Sequence, residues 1–552
     1  MKAAALAFQA RHEAAAPRPR GEVRWGVICF CVLFVLTVAS MEFGDWWRMR
    51  SDPTWSRLHR VVYHLAGAAF TSLVFAIGLT WLRGLARAWQ AVFLAWCAYF
   101  GVLLLATWPG YMLTDSVAAF VFGLKYPIDQ WLGFFTPFLY TSIVSAFPRI
   151  GAVTALQLLI CAGVLVYCGQ VLTLVTRRPL ASVLFFLLIA ASPSAVFNFL
   201  LLSRDTLFSV MVLWLAAFVL RQFYLRDGSW SSFGVAGCIG GCAVVLRGDG
   251  WLVLLPLLAI MWFIAADRRR LLLLGSAAAL IIAVYGLLMP AWLGARHDAF
   301  SYRVANTVNP LGYVLQSRHM QDPGKHVAQI ARVVDIDIIR EKQTPYEIEA
   351  WWTGKLIHED ATDEDKRRYF GAVGKLLFEN IGIYLAGRVE TFFGASGFYQ
   401  SSFRYGDAFG AGWPHESIHP GSLRLDPAAG RPFPALYGPI DLWIRESTVY
   451  EPGKVQGSVV HWNIIPALII LAACLLAYGA LPGVALASLI VLIRVPAVML
   501  LAPASQYKYY LSAELAGAFL FAAAVFLLLL RARPPRTKPR AGMPQAGGGP
   551  AT

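Results

Sequence analysis

The stretch Ile150–Val175 reads IGAVTALQLLICAGVLVYCGQVLTLV and carries no Asp, Glu, Lys or Arg. A helix on the surface of a soluble protein needs a polar face, and this stretch has none. An apolar run of about 18 residues or more reads as a membrane span. Leu511–Leu530 repeats the pattern with Glu514 as its only charged residue. The whole chain agrees: 58% of its 552 residues are hydrophobic and 14% are charged, against roughly 25% charged in a soluble domain.

Working outward, similar segments lie near Trp25–Phe43, Val61–Trp81, Trp89–Thr107, Leu180–Leu202, Thr206–Tyr224, Phe233–Leu246 and Trp251–Ala265. Leu271–Trp292, Trp462–Ala480 and Val484–Leu501 follow. The expected fold is therefore an all-α polytopic membrane protein of about twelve transmembrane helices. Residues 1–24 form a cytoplasmic tail, and 25–293 a transmembrane region with a first periplasmic loop at 110–148. A periplasmic loop region spans 294–461, the last helices span 462–530, and 531–552 is a disordered cytoplasmic tail. Two stretches of the long loop read as helices, Pro345–Glu359 and Asp363–Phe393. The apolar end of the second, Ile381–Phe393, is interrupted by Arg388 and Glu390 and is expected in the interface. No internal repeat is visible.

The orientation rests on Lys and Arg. Arg18, Arg20 and Arg24, then Arg83 and Arg87, Arg177 and Arg178, Arg221 and Arg226, Arg268–Arg270 and the tail from Arg531 all fall on one side. The positive-inside rule makes that side cytoplasmic. Asp45–Arg60, with Arg48, Arg50, Arg57 and Arg60, departs from the pattern. The net charge of +15 is thus a topology signal, and nucleic-acid binding is not expected. No cleavable signal peptide is expected, because the first apolar run is long enough to span. All eight cysteines lie in apolar runs, so neither a disulfide framework nor a thiolate metal site is expected. Cys238 and Cys242 sit in Gly-Cys-Ile-Gly-Gly-Cys, which reads as small residues for close helix packing.

The polar residues left at the outer face carry the candidate chemistry. The first is Asp115, a few residues after a span in WPGYMLTDS. It reads either as helix capping or as a carboxylate at the interface. Ser203-Arg204-Asp205 and Leu246-Arg247-Gly248-Asp249-Gly250 read either as caps with snorkelling arginines or as phosphate ligands. Gln506-Tyr507-Lys508-Tyr509-Tyr510 reads as an interfacial anchor or as part of the same site. His415-Glu416-Ser417-Ile418-His419 fits H-E-x-x-H, but Pro414, Pro420 and Gly421 leave no room for the helix that zinc chemistry needs. It is expected to be loop.

Taken together these motifs resemble the GT-C membrane glycosyltransferases, which include protein O-mannosyltransferases and the aminoarabinose transferases of lipid A. The resemblance runs over roughly Trp108–Leu530. It is carried by Pro109-Gly110, Asp115, Tyr126, Asp129, Pro137, Arg204-Asp205, Leu246–Gly250 and Lys508-Tyr509. Two departures stand: Asp115 is followed by Ser116 rather than a second acid, and Gln130-Trp131 replaces the usual His-Pro. The resemblance implies inverting transfer of a sugar from a polyprenyl-phosphate carrier to a cell-envelope acceptor at the periplasmic face of the bacterial inner membrane. It implies Asp115 as general base, with Arg204, Arg247 and Lys508 on the lipid phosphate and Asp205, Tyr509, Tyr126 and Asp129 in substrate binding. One carboxylate is a poor cage for a divalent cation, so no metal or other cofactor is expected. The rival reading is a transporter or flippase for a lipid-linked or polymeric glycan. It calls for charges buried mid-span, and the isolated cases here are Arg494 and Glu514.

Overall fold

A backbone in hydrocarbon has no water to bond, so apolar segments close their hydrogen bonds within helices. The computed structural model describes residues 19–40, 57–113, 115–116, 118–120, 133–147, 149–226, 229–265, 267–295, 299–321, 324–344, 349–396, 432–446 and 461–532. Among them the architecture is helical, with only two isolated bridges, Tyr111 to Leu201 and Val334 to Ile357.

Among the described residues, seven helices are long and apolar enough to cross a membrane: Val61–Gly84, Arg87–Thr107, Ile150–Thr176, Arg204–Leu225, Arg268–Trp292, Pro482–Leu501 and Tyr507–Arg531. An eighth candidate is a bent pair, Pro179–Ala190 and Pro193–Leu200, set at 72°. Shorter apolar helices include Arg24–Ala39, Trp230–Leu246, Gly248–Ile264 and Ile465–Gly479. Each of the twelve expected segments overlaps one of these helices. The outer surface keeps large apolar side chains in the open, with Phe263 at 84% and Leu476 at 86% exposure. A surface of that kind suits lipid rather than water.

Three expectations change in detail. Leu180–Leu202 is not one straight span. Pro193 opens a new helix there, and Ser192 caps it by accepting from the Ala195 amide at 3.2 Å. The segment 110–148, expected as loop, contains the buried apolar helix Phe135–Ala146. This helix lies against Val61–Gly84, where Tyr63 Oη and Thr141 Oγ1 share a hydrogen bond of 2.5 Å. The expected helix Pro345–Glu359 is limited to Glu349–Trp352 among its described residues, because Gly354 turns the chain at φ +69°.

Asp363–Phe393 divides into Asp363–Glu379 and Ile381–Ala395. Asn380 makes the break: its side chain accepts from the Gln321 amide at 2.7 Å and donates to the Leu376 carbonyl at 2.9 Å. These helices and Ala299–Leu315 share a small core containing Val304, Val308, Leu311, Ile330, Tyr369 and Leu376. Arg388 fixes this unit to the bundle. Its guanidinium donates to the Met499 carbonyl at 3.0 Å, Asn309 Oδ1 at 2.7 Å and the Ala502 carbonyl at 2.6 Å. Tyr384 Oη donates to the Leu500 carbonyl at 2.8 Å. Both side chains satisfy carbonyls that the end of Arg494–Leu501 leaves open.

Gly237 and Gly241 lie against Arg268–Trp292. A Cβ would meet the Leu274 carbonyl oxygen at 2.2 Å from Gly237 and the Ala278 carbonyl oxygen at 2.8 Å from Gly241. The glycine-rich segment therefore serves close packing, and all eight cysteines are free thiols.

The chain path sorts the polar turns onto two ends of the bundle. Gly483 packs on Phe223 and Tyr224, which places the turn before Pro482 beside the end of Arg204–Leu225. The turns with Arg83, Arg87, Arg177, Arg178, Arg226 and Arg268–Arg270, and the terminal Arg531, share that end. Asp115, Arg204, Arg247 and Lys508 occupy the other.

A charged cavity as candidate functional site

The loop after Arg87–Thr107 turns at Gly110, whose φ is +101°. A side chain there would be strained, and its Cβ would meet the Leu200 carbonyl oxygen and Thr154 Cγ2, each at 2.8 Å. The turn lets Tyr111 run parallel to Leu201: its amide donates to the Leu200 carbonyl at 3.0 Å, and its carbonyl accepts from Leu202 at 2.8 Å. Ser116 Oγ accepts from the Leu113 amide at 3.1 Å and donates to the Leu202 carbonyl. Gln157 holds the facing segment by donating to the carbonyls of Phe199 and Leu201 at 2.8 and 2.7 Å. The loop that carries Asp115 is thus stitched to the residues that lead into Arg204-Asp205.

Ser203, not Asp205, caps the helix Arg204–Leu225, accepting from the Asp205 amide at 3.1 Å. That leaves the Asp205 carboxylate for other partners. Arg247 follows the end of Trp230–Leu246, and the short 3-10 turn Gly248–Gly250 brings Asp249 back beside it. Arg494 opens the helix Arg494–Leu501, and the 3-10 turn Tyr507–Tyr510 delivers Lys508.

These residues form one chain of alternating charge. Lys508 Nζ lies 2.8 Å from Asp115 Oδ2 and 3.6 Å from Asp205 Oδ2. Arg247 pairs with Asp205 and reaches Asp249 Oδ1 at 2.8 Å. Arg494 closes the row, with Nε on Asp249 Oδ2 at 2.5 Å and Nη1 donating to the Tyr509 carbonyl at 2.7 Å. The Arg247 guanidinium also lies over the Tyr509 ring, 5.2 Å from its centroid. With Arg204 beside them, three carboxylates face four cations.

A cavity of about 550 Å³ opens at this row. Asp115, Arg204, Arg247 and Asp249 supply its charged wall. Tyr302, Asn306 and Thr307 on the helix Ala299–Leu315, with Tyr384, supply an uncharged polar wall. Ala497, Val498, Leu500 and Leu501 form an apolar flank, and Leu501 is 70% exposed. Asp115 keeps 39% of its side chain open, whereas Lys508 is only 3% exposed. Desolvation pushes the Asp115 carboxyl up, but Lys508, Arg204 and Arg247 outweigh it and hold it below the usual aspartate range.

The expected site residues Asp115, Arg204, Asp205, Arg247, Lys508 and Tyr509 are brought together. Tyr126, Asp129 and the segment His415–His419 lie outside the described residues. Lys508 is enclosed between two carboxylates and does not line the cavity, whereas Arg204 and Arg247 do. The sequence reading missed Arg494 as a member. Its signal was an arginine inside an apolar run, which marks function or a buried partner. It also missed Tyr302, Asn306, Thr307 and Tyr384, which carry no sequence signal.

Among the described residues no three His, Cys, Asp or Glu side chains gather as a metal-binding set. Asp115, Asp205 and Asp249 are each engaged by a cation instead. No family model, curated protein or solved structure matches this chain.

Proposed function

We propose that this protein transfers a sugar from a polyprenyl-phosphate-linked donor to a cell-envelope acceptor, as GT-C membrane glycosyltransferases do. One observation carries the proposal: a single cavity joins a carboxylate, two arginines and an apolar flank whose Leu500 and Leu501 are exposed. A lipid-linked sugar needs those features together. Its chain would leave past Leu500 and Leu501, and its phosphate would sit against Arg204 and Arg247. Asp115 would take the proton from the attacking acceptor hydroxyl. The two arginines would stabilise the charge that grows on the departing phosphate. Lys508 enters as the partner that keeps Asp115 ionised. The gathering of most basic turns at the opposite end, Asp45–Arg60 apart, supports a periplasmic cavity and an inner-membrane location. The motif order supports a GT-C-like bundle of about twelve spans.

The transporter or flippase reading draws on the 72° break between Ala190 and Pro193, since interrupted helices are common in transporters. One assay separates the two: radiolabelled sugar is followed from polyprenyl phosphate into acceptor material in membranes. Lipid-dependent transfer by the wild type supports the enzyme. No transfer across a broad donor panel favours the transporter.

A further inference from the structure

Glu514 is the only acid within Leu511–Arg531, and nothing in the chemistry above uses it. Its Oε1 accepts from Ser192 Oγ at 2.6 Å and Ser194 Oγ at 2.5 Å, and its Oε2 accepts from Tyr507 Oη at 2.9 Å. The two serines sit at the break between Pro179–Ala190 and Pro193–Leu200. Tyr507 opens the 3-10 turn whose next residue is Lys508. One carboxylate therefore ties a helix break to the turn that carries a buried cation of the site.

Both ends of this tie lead to the charge row. The half-helix Pro193–Leu200 runs into Leu201 and Leu202, which hold the Asp115 loop, and then into Arg204-Asp205. Aromatic contacts follow the same route: Tyr111 to Phe197 at 4.8 Å, Phe197 to Trp462 at 5.6 Å and Trp462 to Tyr507 at 5.2 Å between ring centroids. Arg494 fixes the other side of the turn through the Tyr509 carbonyl. A carboxylate in so apolar a helix is costly unless its hydrogen bonds are met. Here three hydroxyls meet them, and the geometry of the break and that of the turn become mutually dependent.

We propose that Glu514 is a positioning residue that sets Lys508 between Asp115 and Asp205 by clamping the Ser192–Ser194 break to Tyr507. The proposal rests on the glycosyl-transfer reading for its effect on rate, but not for its effect on geometry.

The experiment uses the full chain in detergent. Lys508 is acetylated with acetic anhydride, and its modification rate is read by peptide mass spectrometry. Glu514→Ala frees the turn, and Tyr507→Phe removes one bond of the clamp while keeping the ring. Losing a hydrogen bond to a charged group is worth about tenfold in an opening equilibrium, so acetylation of Lys508 should rise about tenfold in Glu514→Ala and by less in Tyr507→Phe. In the transfer assay, kcat should fall in both variants with the donor KM unchanged. Glu514→Gln should restore much of it, because its amide oxygen still accepts from the serines. Wild-type acetylation rates in both variants overturn the proposal. So does faster acetylation with an unchanged kcat. If Glu514→Ala fails to fold, Tyr507→Phe decides alone. A wild type without lipid-dependent transfer defeats the functional reading, while the acetylation rates still decide whether Glu514 places Lys508.

Discussion

Lys508 donates to the Asp115 carboxylate at 2.8 Å across 393 residues of chain. The contact joins the loop after Arg87–Thr107 to the turn before the helix Leu511–Arg531. It gives the proposed base a fixed neighbour of opposite charge.

Asp115→Asn keeps the size of the side chain and removes its basicity. General-base help is worth roughly 100- to 10,000-fold in rate. The variant should express, insert and bind the lipid-linked donor, while sugar transfer in membranes falls by that factor. Transfer near the wild-type rate removes Asp115 from the role of base.

The held-down Asp115 carboxyl sets a pH expectation. A depressed folded-state value means that the stabilisation is present above the unfolded value of about 3.9 and is lost as pH falls through the folded value. The acid limb of kcat/KM, where Asp115 must be ionised, should therefore lie below the usual aspartate range. Lys508→Gln removes the leading attraction and leaves the desolvation, so the limb should move to higher pH. A limb that stays in place in the pH–rate profile argues against Asp115 as the titrating group.

Arg247 stands between Asp205 and Asp249. Breaking a buried pair from one side typically costs about 3–5 kcal/mol, because a charge is left without a partner. Arg247→Ala should lower the melting temperature in detergent, and Asp205→Asn added to it should recover part of the loss. Strict additivity of the two changes in thermal melts defeats the coupling.

The loop-derived wall gives a substrate-resolved test. Asn306 lines the same cavity as the charged residues. Asn306→Ala should raise the acceptor KM and leave the donor KM unchanged in initial-rate measurements. A change in donor KM alone places Asn306 on the wrong substrate.

Orientation is open to a direct test. Arg318 is exposed in the unit that caps the cavity. Arg318→Cys in a background lacking the native cysteines should react with an impermeant maleimide in intact spheroplasts. Reaction only after lysis places the cavity on the cytoplasmic side.

Most of the helix pattern was legible because its cause is local. Apolar composition over Ile150–Thr176 or Pro482–Leu501 is enough to require a helix in hydrocarbon. The break at Ser192-Pro193 was written in the sequence as a cap followed by proline, but the apolar run around it hid the signal. The site was half legible. Asp115, Arg204, Arg247 and Lys508 stand out because charges are scarce near span ends. Arg494 and Glu514 looked like isolated charges within spans, because their partners Asp249, Ser192, Ser194 and Tyr507 lie far away along the chain or on other elements. The cavity's neutral wall depends on how Arg388 docks the loop unit, a tertiary contact with no periodic signature.

The double engagement of Arg247 has a consequence for how an anion enters. Asp205 and Asp249 already occupy this guanidinium, so the resting site carries its own counter-ions. On the proposed reading, a phosphate binding there would enter by exchange, in which an internal carboxylate yields its place to an external anion. The gain is the difference between two similar attractions, and free inorganic phosphate has little to add to it. A lipid-linked phosphate brings the burial of its chain as well, which tips the exchange. Under the proposed function, the site would thereby select for the anchor on the phosphate as much as for the phosphate itself.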